Sequence, residues 1–181
     1  MNPVKTAIVR KVSTARFCSK RALYAARTAI WGSLRIVGVL SGLFVNATQS
    51  AEAQAETVLY GFIGPTDGAY PTAGLVRDKQ GNLYGTTSQG GGTGCGNLGC
   101  GTVFKLTPSG TLKVLYGFTG KADGATPYAG LILDTLGNLY GTTAHGGAFG
   151  NGAVFEITAA GMENVLYGFS GGADGGAPTL G

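Results

Sequence analysis

Few side chains in this sequence are of types that do chemistry, and the ones that recur do so at fixed spacing. Three segments place an Asp-Gly pair shortly before proline: Asp67-Gly68-Ala69-Tyr70-Pro71, Asp123-Gly124-Ala125-Thr126-Pro127 and Asp174-Gly175-Gly176-Ala177-Pro178. Two chemistries fit. In a turn, the aspartate accepts backbone N–H bonds and glycine supplies the unusual dihedral. As a ligand loop, Asp67, Asp123 and Asp174 would present a row of carboxylates to a cation or a sugar. One carboxylate per segment falls well below the roughly six to eight oxygens that calcium takes, so the turn is favoured and no metal site is assigned.

Cys95 and Cys100 bracket Gly96-Asn97-Leu98-Gly99. Outside the cytoplasm such a pair can close as a disulfide, whose short loop implies modest stabilisation. A structural zinc site wants four Cys or His ligands, and these two with His145 do not supply them. His145 is the single histidine and stands where an earlier segment has Gln89, which suits a loop side chain. No pair of acids recurs at close spacing, and no Gly-x-Ser-x-Gly or phosphate-loop pattern appears. Gly90-Gly91-Gly92 and Gly146-Gly147 fall in loops rather than before a helix that could receive phosphate. Neither a catalytic residue nor a cofactor is expected.

The elements that must hold these loops form a tandem array. Val58-Leu59-Tyr60-Gly61-Phe62 returns after 56 residues as Val114-Leu115-Tyr116-Gly117-Phe118, and after 51 more as Val165-Leu166-Tyr167-Gly168-Phe169. Residues 81–87 match 137–143, both reading Gly-Asn-Leu-Tyr-Gly-Thr-Thr, and Gly101-Thr102-Val103-Phe104-Lys105-Leu106-Thr107 matches Gly152-Ala153-Val154-Phe155-Glu156-Ile157-Thr158. The blocks are short, rich in β-branched and aromatic residues and punctuated by glycine, so they read as strands. Residues 78–82 and 134–138, then 107–110 and 158–161, have hairpin-turn chemistry. One unit therefore holds four strands, over residues 74–77, 82–87, 102–107 and 112–118.

Four antiparallel strands in about 50 residues, repeated in tandem, describe a β-propeller blade, with a β-solenoid as the alternative. The expected fold is all-β: a partial β-propeller of about two and a half four-stranded blades over residues 54–181, its last unit truncated, preceded by a helical signal segment. A unit of this size cannot bury its apolar faces alone and must lean on its neighbours. The recurring tyrosines Tyr60, Tyr84, Tyr116, Tyr140 and Tyr167 are assigned to packing between blades rather than to carbohydrate stacking. Open blade edges would admit other copies of the chain.

Residues 1–35 carry eight basic side chains and no acid, the apolar run 36–45 follows, and Ala51-Glu52-Ala53 and Ala53-Gln54-Ala55 come next. That is the layout of a secretory signal peptide over residues 1–53, against the alternatives of an uncleaved anchor or a mitochondrial-type presequence. The apolar run, bounded by Arg35, is shorter than the roughly 20 residues that span a bilayer. Beyond residue 53 there are five basic and eight acidic side chains, a net charge of −3. The basic surface a nucleic-acid partner needs is absent from that region.

The order Gly-Asn-Leu-Tyr-Gly-Thr-Thr, Gly-Gly, Gly-Thr-Val-Phe-Lys-Leu-Thr-Pro-x-Gly, Val-Leu-Tyr-x-Phe and Asp-Gly-x-x-Pro resembles the GloVer (Gloeobacter/Verrucomicrobia-type) tandem repeat over nearly all of residues 56–181. The resemblance implies an exported bacterial protein of the choice-of-anchor tandem repeat kind, and it transfers no enzymatic activity. Against that pattern the units read here are few, and no C-terminal anchor is expected among these residues. The expected function is a non-catalytic binding or structural module, periplasmic, extracellular or on the cell surface, with a protein or carbohydrate ligand compatible with it. The alternatives are a fragment of a lactonase- or lyase-type propeller enzyme whose active-site residues lie elsewhere, and a remnant without independent function.

Overall fold

The computed structural model describes residues 8–12 and 56–179. The leader expected over residues 1–53, with its helix and its cleavage point, lies outside the described residues except for Ile8–Val12. That stretch is a strand, β1, paired with β2 (Glu56–Gly61) in a two-stranded sheet.

The rest is two four-stranded antiparallel sheets in sequence order. The first comprises β3 (Val76–Arg77), β4 (Leu83–Thr87), β5 (Thr102–Leu106) and β6 (Leu112–Gly117). The second comprises β7 (Ile132–Leu133), β8 (Leu139–Thr143), β9 (Ala153–Ile157) and β10 (Glu163–Gly168). The four-strand unit expected from the repeats is thus present twice, while a ring of blades is not formed by the described residues.

Two details depart from expectation. The first strand of each unit is only two residues long, and just before it Leu75 and Leu131 fold over a glycine of the neighbouring strand. A Cβ on Gly85 would lie 2.5 Å from Leu75 Cδ2 and 2.8 Å from Phe104 Cζ; on Gly141 it would meet Phe155 and Leu131 in the same way. The glycine of Leu-Tyr-Gly-Thr-Thr therefore makes room for a leucine above and a phenylalanine ring beside it. Secondly, the insertion in the first unit contains a short helical turn, α1 (Gly94–Asn97), with Cys95, Gly96 and Asn97 all at positive φ.

Registers match between the sheets, bulges included. Phe104 pairs with Val114 and Val103 with Tyr116, which leaves Leu115 as an extra residue; on β10, Leu166 is the extra residue between Val165 and Tyr167. The bulge turns the strand so that Leu115 and Tyr116 both pack against the core formed with the second sheet. That core joins Val103 and Phe118 from the first unit to Leu131, Leu139, Phe155 and Ile157 from the second. A smaller core gathers Phe62, Phe104 and Leu106, flanked by Leu59, Leu75 and Leu83.

Candidate functional site

The three Asp-Gly loops follow β2, β6 and β10, and residues 123–127, between the two four-stranded sheets, show the complete arrangement. On one side, the Thr126 amide donates to the Cys100 carbonyl (2.8 Å), and Pro127 covers Gly101 of the first sheet. On the other, Ala125 and His145 exchange amide bonds (2.7 and 3.1 Å) beside the second sheet. Gly124, at φ +98°, runs so close above Thr143 that a Cβ would overlap that side chain. Glycine is required there by both dihedral and space. The loop thus staples one sheet to the next.

The other two loops make half of these contacts each. Gly68 runs over Thr87 and Thr102 of the first sheet, and Ala69 exchanges amide bonds with Gln89. In the third loop, the Ala177 amide donates to the Asn151 carbonyl (2.8 Å) and Pro178 packs on Gly152, but nothing lies within 4 Å of a Cβ on Gly175. Its forward side faces open space.

Each loop aspartate is engaged by donors from its own repeat. Asp67 accepts from the Tyr60 hydroxyl (3.0 Å) and the Ile63 and Gly64 amides. Asp123 accepts from the Tyr116 hydroxyl (3.1 Å), the Thr119 amide and hydroxyl (both 2.7 Å) and the Lys121 amide. Asp174 accepts from the Tyr167 hydroxyl (2.7 Å) and from Ser170. The Ser170 hydroxyl and amide, with Tyr167, hold Asp174 well below the usual carboxylate range. Burial first, and then Asp123, push the Tyr116 hydroxyl far above its ordinary value. These carboxylates close turns, with few lone pairs left for a cation. Among the described residues, no group of three His, Cys, Asp or Glu side chains converges.

A second latch went unnoticed in the sequence. Asp78 accepts from the Asn82 amide and side chain (2.8 and 2.7 Å) and from the Tyr84 hydroxyl (3.0 Å). Asp134 repeats this with Asn138 and Tyr140. Burial opposes the charge on Asp78, yet the bonds from Asn82 and Tyr84 outweigh it and lower its pKa. Burial and Asp78 together push Tyr84 up to about 12. The legible signal was the constant offset: tyrosine seven residues before the loop aspartate in three copies, and six after the hairpin aspartate in two.

Cys95 and Cys100 are bridged, with Cα atoms 5.3 Å apart. Gly120, at φ +81°, lies against both sulfurs, so the bridged loop rests on the turn after β6. His145 is exposed and joins the fold through its backbone pairing with Ala125.

Between the hairpin ends of the two sheets runs a cleft of about 530 Å³, walled by Leu115 and Leu133 and rimmed by Arg77, Lys79 and Lys105. Lys105 Nζ stands 5.6 Å over the Tyr84 ring, a cation–π arrangement. Asp78 and Asp134 also line the cleft, but their oxygens are taken by the latches. Three of the five basic side chains beyond residue 53 therefore gather here. Their equivalents in the second unit are Leu133, Thr135 and Glu156, so the cations are a departure from the repeat that sequence reasoning passed over.

Compared with known protein families, residues 40–181 match the model of the Gloeobacter/Verrucomicrobia repeat. No curated protein matches the chain.

Proposed function

Because the chain belongs to the Gloeobacter/Verrucomicrobia repeat family, we propose that it works as an exported, non-catalytic module, a propeller-like row of sheets that binds or scaffolds at a bacterial surface or in the extracellular space. One observation carries this reading. The phenylalanine closing each of the first two Val-Leu-Tyr-Gly-Phe blocks leaves its own unit and enters the core of the next: Phe62 meets Phe104 edge-to-face at 5.1 Å, and Phe118 meets Phe155 at 5.0 Å. The repeated residues thus go into holding sheets together, and the loop aspartates into closing turns, so neither set is left for chemistry.

Export is supported by the basic, apolar and Ala-x-Ala order of residues 1–55 and by the Cys95–Cys100 bridge, a bond that persists in oxidising compartments. The cleft rimmed by Arg77, Lys79 and Lys105 is where we place a ligand. An acidic carbohydrate fits its chemistry, with cations for the carboxylate and the Leu115–Leu133 wall for the sugar face.

The test is to express the full chain in a bacterial host, fractionate the cells and sequence the N-terminus. The reading expects a periplasmic or released chain beginning after Ala53 with Cys95 and Cys100 oxidised. An intact, reduced chain held in the cytoplasm overturns it.

A further inference from the structure

Among the described residues, β2 is a fourth strand without the other three. It carries Glu56-Thr57-Val58-Leu59-Tyr60-Gly61-Phe62, against Glu163-Asn164-Val165-Leu166-Tyr167-Gly168-Phe169 on and after β10. Its local geometry is the same. Tyr60 and Phe62 meet edge-to-face at 5.2 Å and 78°, Tyr167 and Phe169 at 5.3 Å and 79°, and both tyrosines donate to the aspartate seven residues on. Yet β10 closes a four-stranded sheet, whereas among the described residues β2 has only β1 beside it. A two-stranded ribbon is marginal in water, and three or more strands with a packed face are the stable form.

We infer that β2 is an exchangeable closing strand, which adds to β9 of a second copy of this chain in the place β10 holds. The strand it would replace lies at the edge of its sheet with side chains open to solvent: Val165, Leu166 and Tyr167 are 42%, 53% and 48% exposed. The incoming strand keeps Phe62 lodged against Phe104, so it brings the partner's last sheet up to this chain's first sheet through the interface that already joins the two sheets within one chain. The register follows from β10: Thr57 faces Glu156 of the partner subunit, and Tyr60 faces Val154 of the partner subunit. The inference rests on the stacked-sheet reading above.

The test uses full-length chains with Cys18→Ser throughout. Thr57→Cys and Glu156→Cys chains are mixed and oxidised, with Ser109→Cys on a hairpin tip replacing Glu156→Cys as control. A Thr57→Cys/Glu156→Cys linked dimer mapped by mass spectrometry, far in excess of the control, together with a dimeric or larger mass of the parent chain by light scattering, is expected. A monomeric parent chain that keeps its β-sheet dichroism and gives no linkage above control overturns the exchange alone. Loss of the sheet signal in the parent chain overturns the stacking reading with it.

Discussion

Replacing Phe118 by alanine should cost far more than the same change at Phe169, although both occupy the last position of the same five-residue block. Both rings lie edge-to-face on the tyrosine two residues earlier, at 5.2 Å for Phe118 and 5.3 Å for Phe169, so that local contact cancels in the comparison. What differs is the next sheet. Phe118 is 3% exposed and packs on Phe155, whereas Phe169 is half-buried. Emptying a buried phenylalanine site costs about 3–5 kcal/mol, of which the aromatic pair accounts for roughly 0.5–1.5. The Phe169→Ala change, losing little more than its local aromatic contact, should cost about 1 kcal/mol. Urea unfolding followed by far-ultraviolet circular dichroism would read the difference directly. With a slope of roughly 1–3 kcal/mol per molar urea, the Phe118→Ala midpoint should fall at least about 0.7 M below that of Phe169→Ala. Equal midpoints would refute the argument, for they would mean that the phenylalanine stabilises its own strand and not the junction.

The glycine beneath each staple offers a parallel comparison. Gly124→Ala meets both a positive φ and the Thr143 side chain and should destabilise by about 2–4 kcal/mol, whereas Gly175→Ala meets only the dihedral penalty of about 1 kcal/mol, again read by urea midpoints. Gly85→Ala should cost about 1–3 kcal/mol by overpacking against Leu75 and Phe104, and a Leu75→Ala, Gly85→Ala double variant should lose less than the sum of the singles. Toward acid, Asp78, Asp134 and Asp174 have folded pKa values below their unfolded ones, so their contribution is whole above about pH 4 and fades as pH falls through the lowered values. Glu163, raised by burial and by Asp123, works in the opposite sense and relieves the fold as it protonates. Asparagine at Asp78 and Asp134 should flatten the acid limb of the midpoint-versus-pH curve, and an unchanged limb would contradict the latch assignment. Finally, Lys105→Glu should weaken binding of a uronic-acid oligosaccharide to the cleft at least about tenfold in titration calorimetry, the scale expected from reversing one interfacial charge.

Much of this architecture was open to inspection in the chain itself. Recurrence of Val-Leu-Tyr-Gly-Phe, Leu-Tyr-Gly-Thr-Thr and Val-Phe-x-(Leu/Ile)-Thr located three of the four strands in each unit to within a residue or two, because β-branched and aromatic residues between turn-forming glycines admit few other conformations. Asp-Gly before proline was legible as a turn for the same local reason. The partner of each repeated residue was not legible, since sequence spacing does not say whether a phenylalanine packs within its unit or across to the next. Only the assembled sheets reveal that Phe62 and Phe118 cross over, that Gly124 is needed because a buried threonine lies beneath it, and that Arg77, Lys79 and Lys105 converge on one cleft. Strand identity is written in local dihedral preference. Which strands share a core depends on long-range burial, and for that the whole fold had to be present.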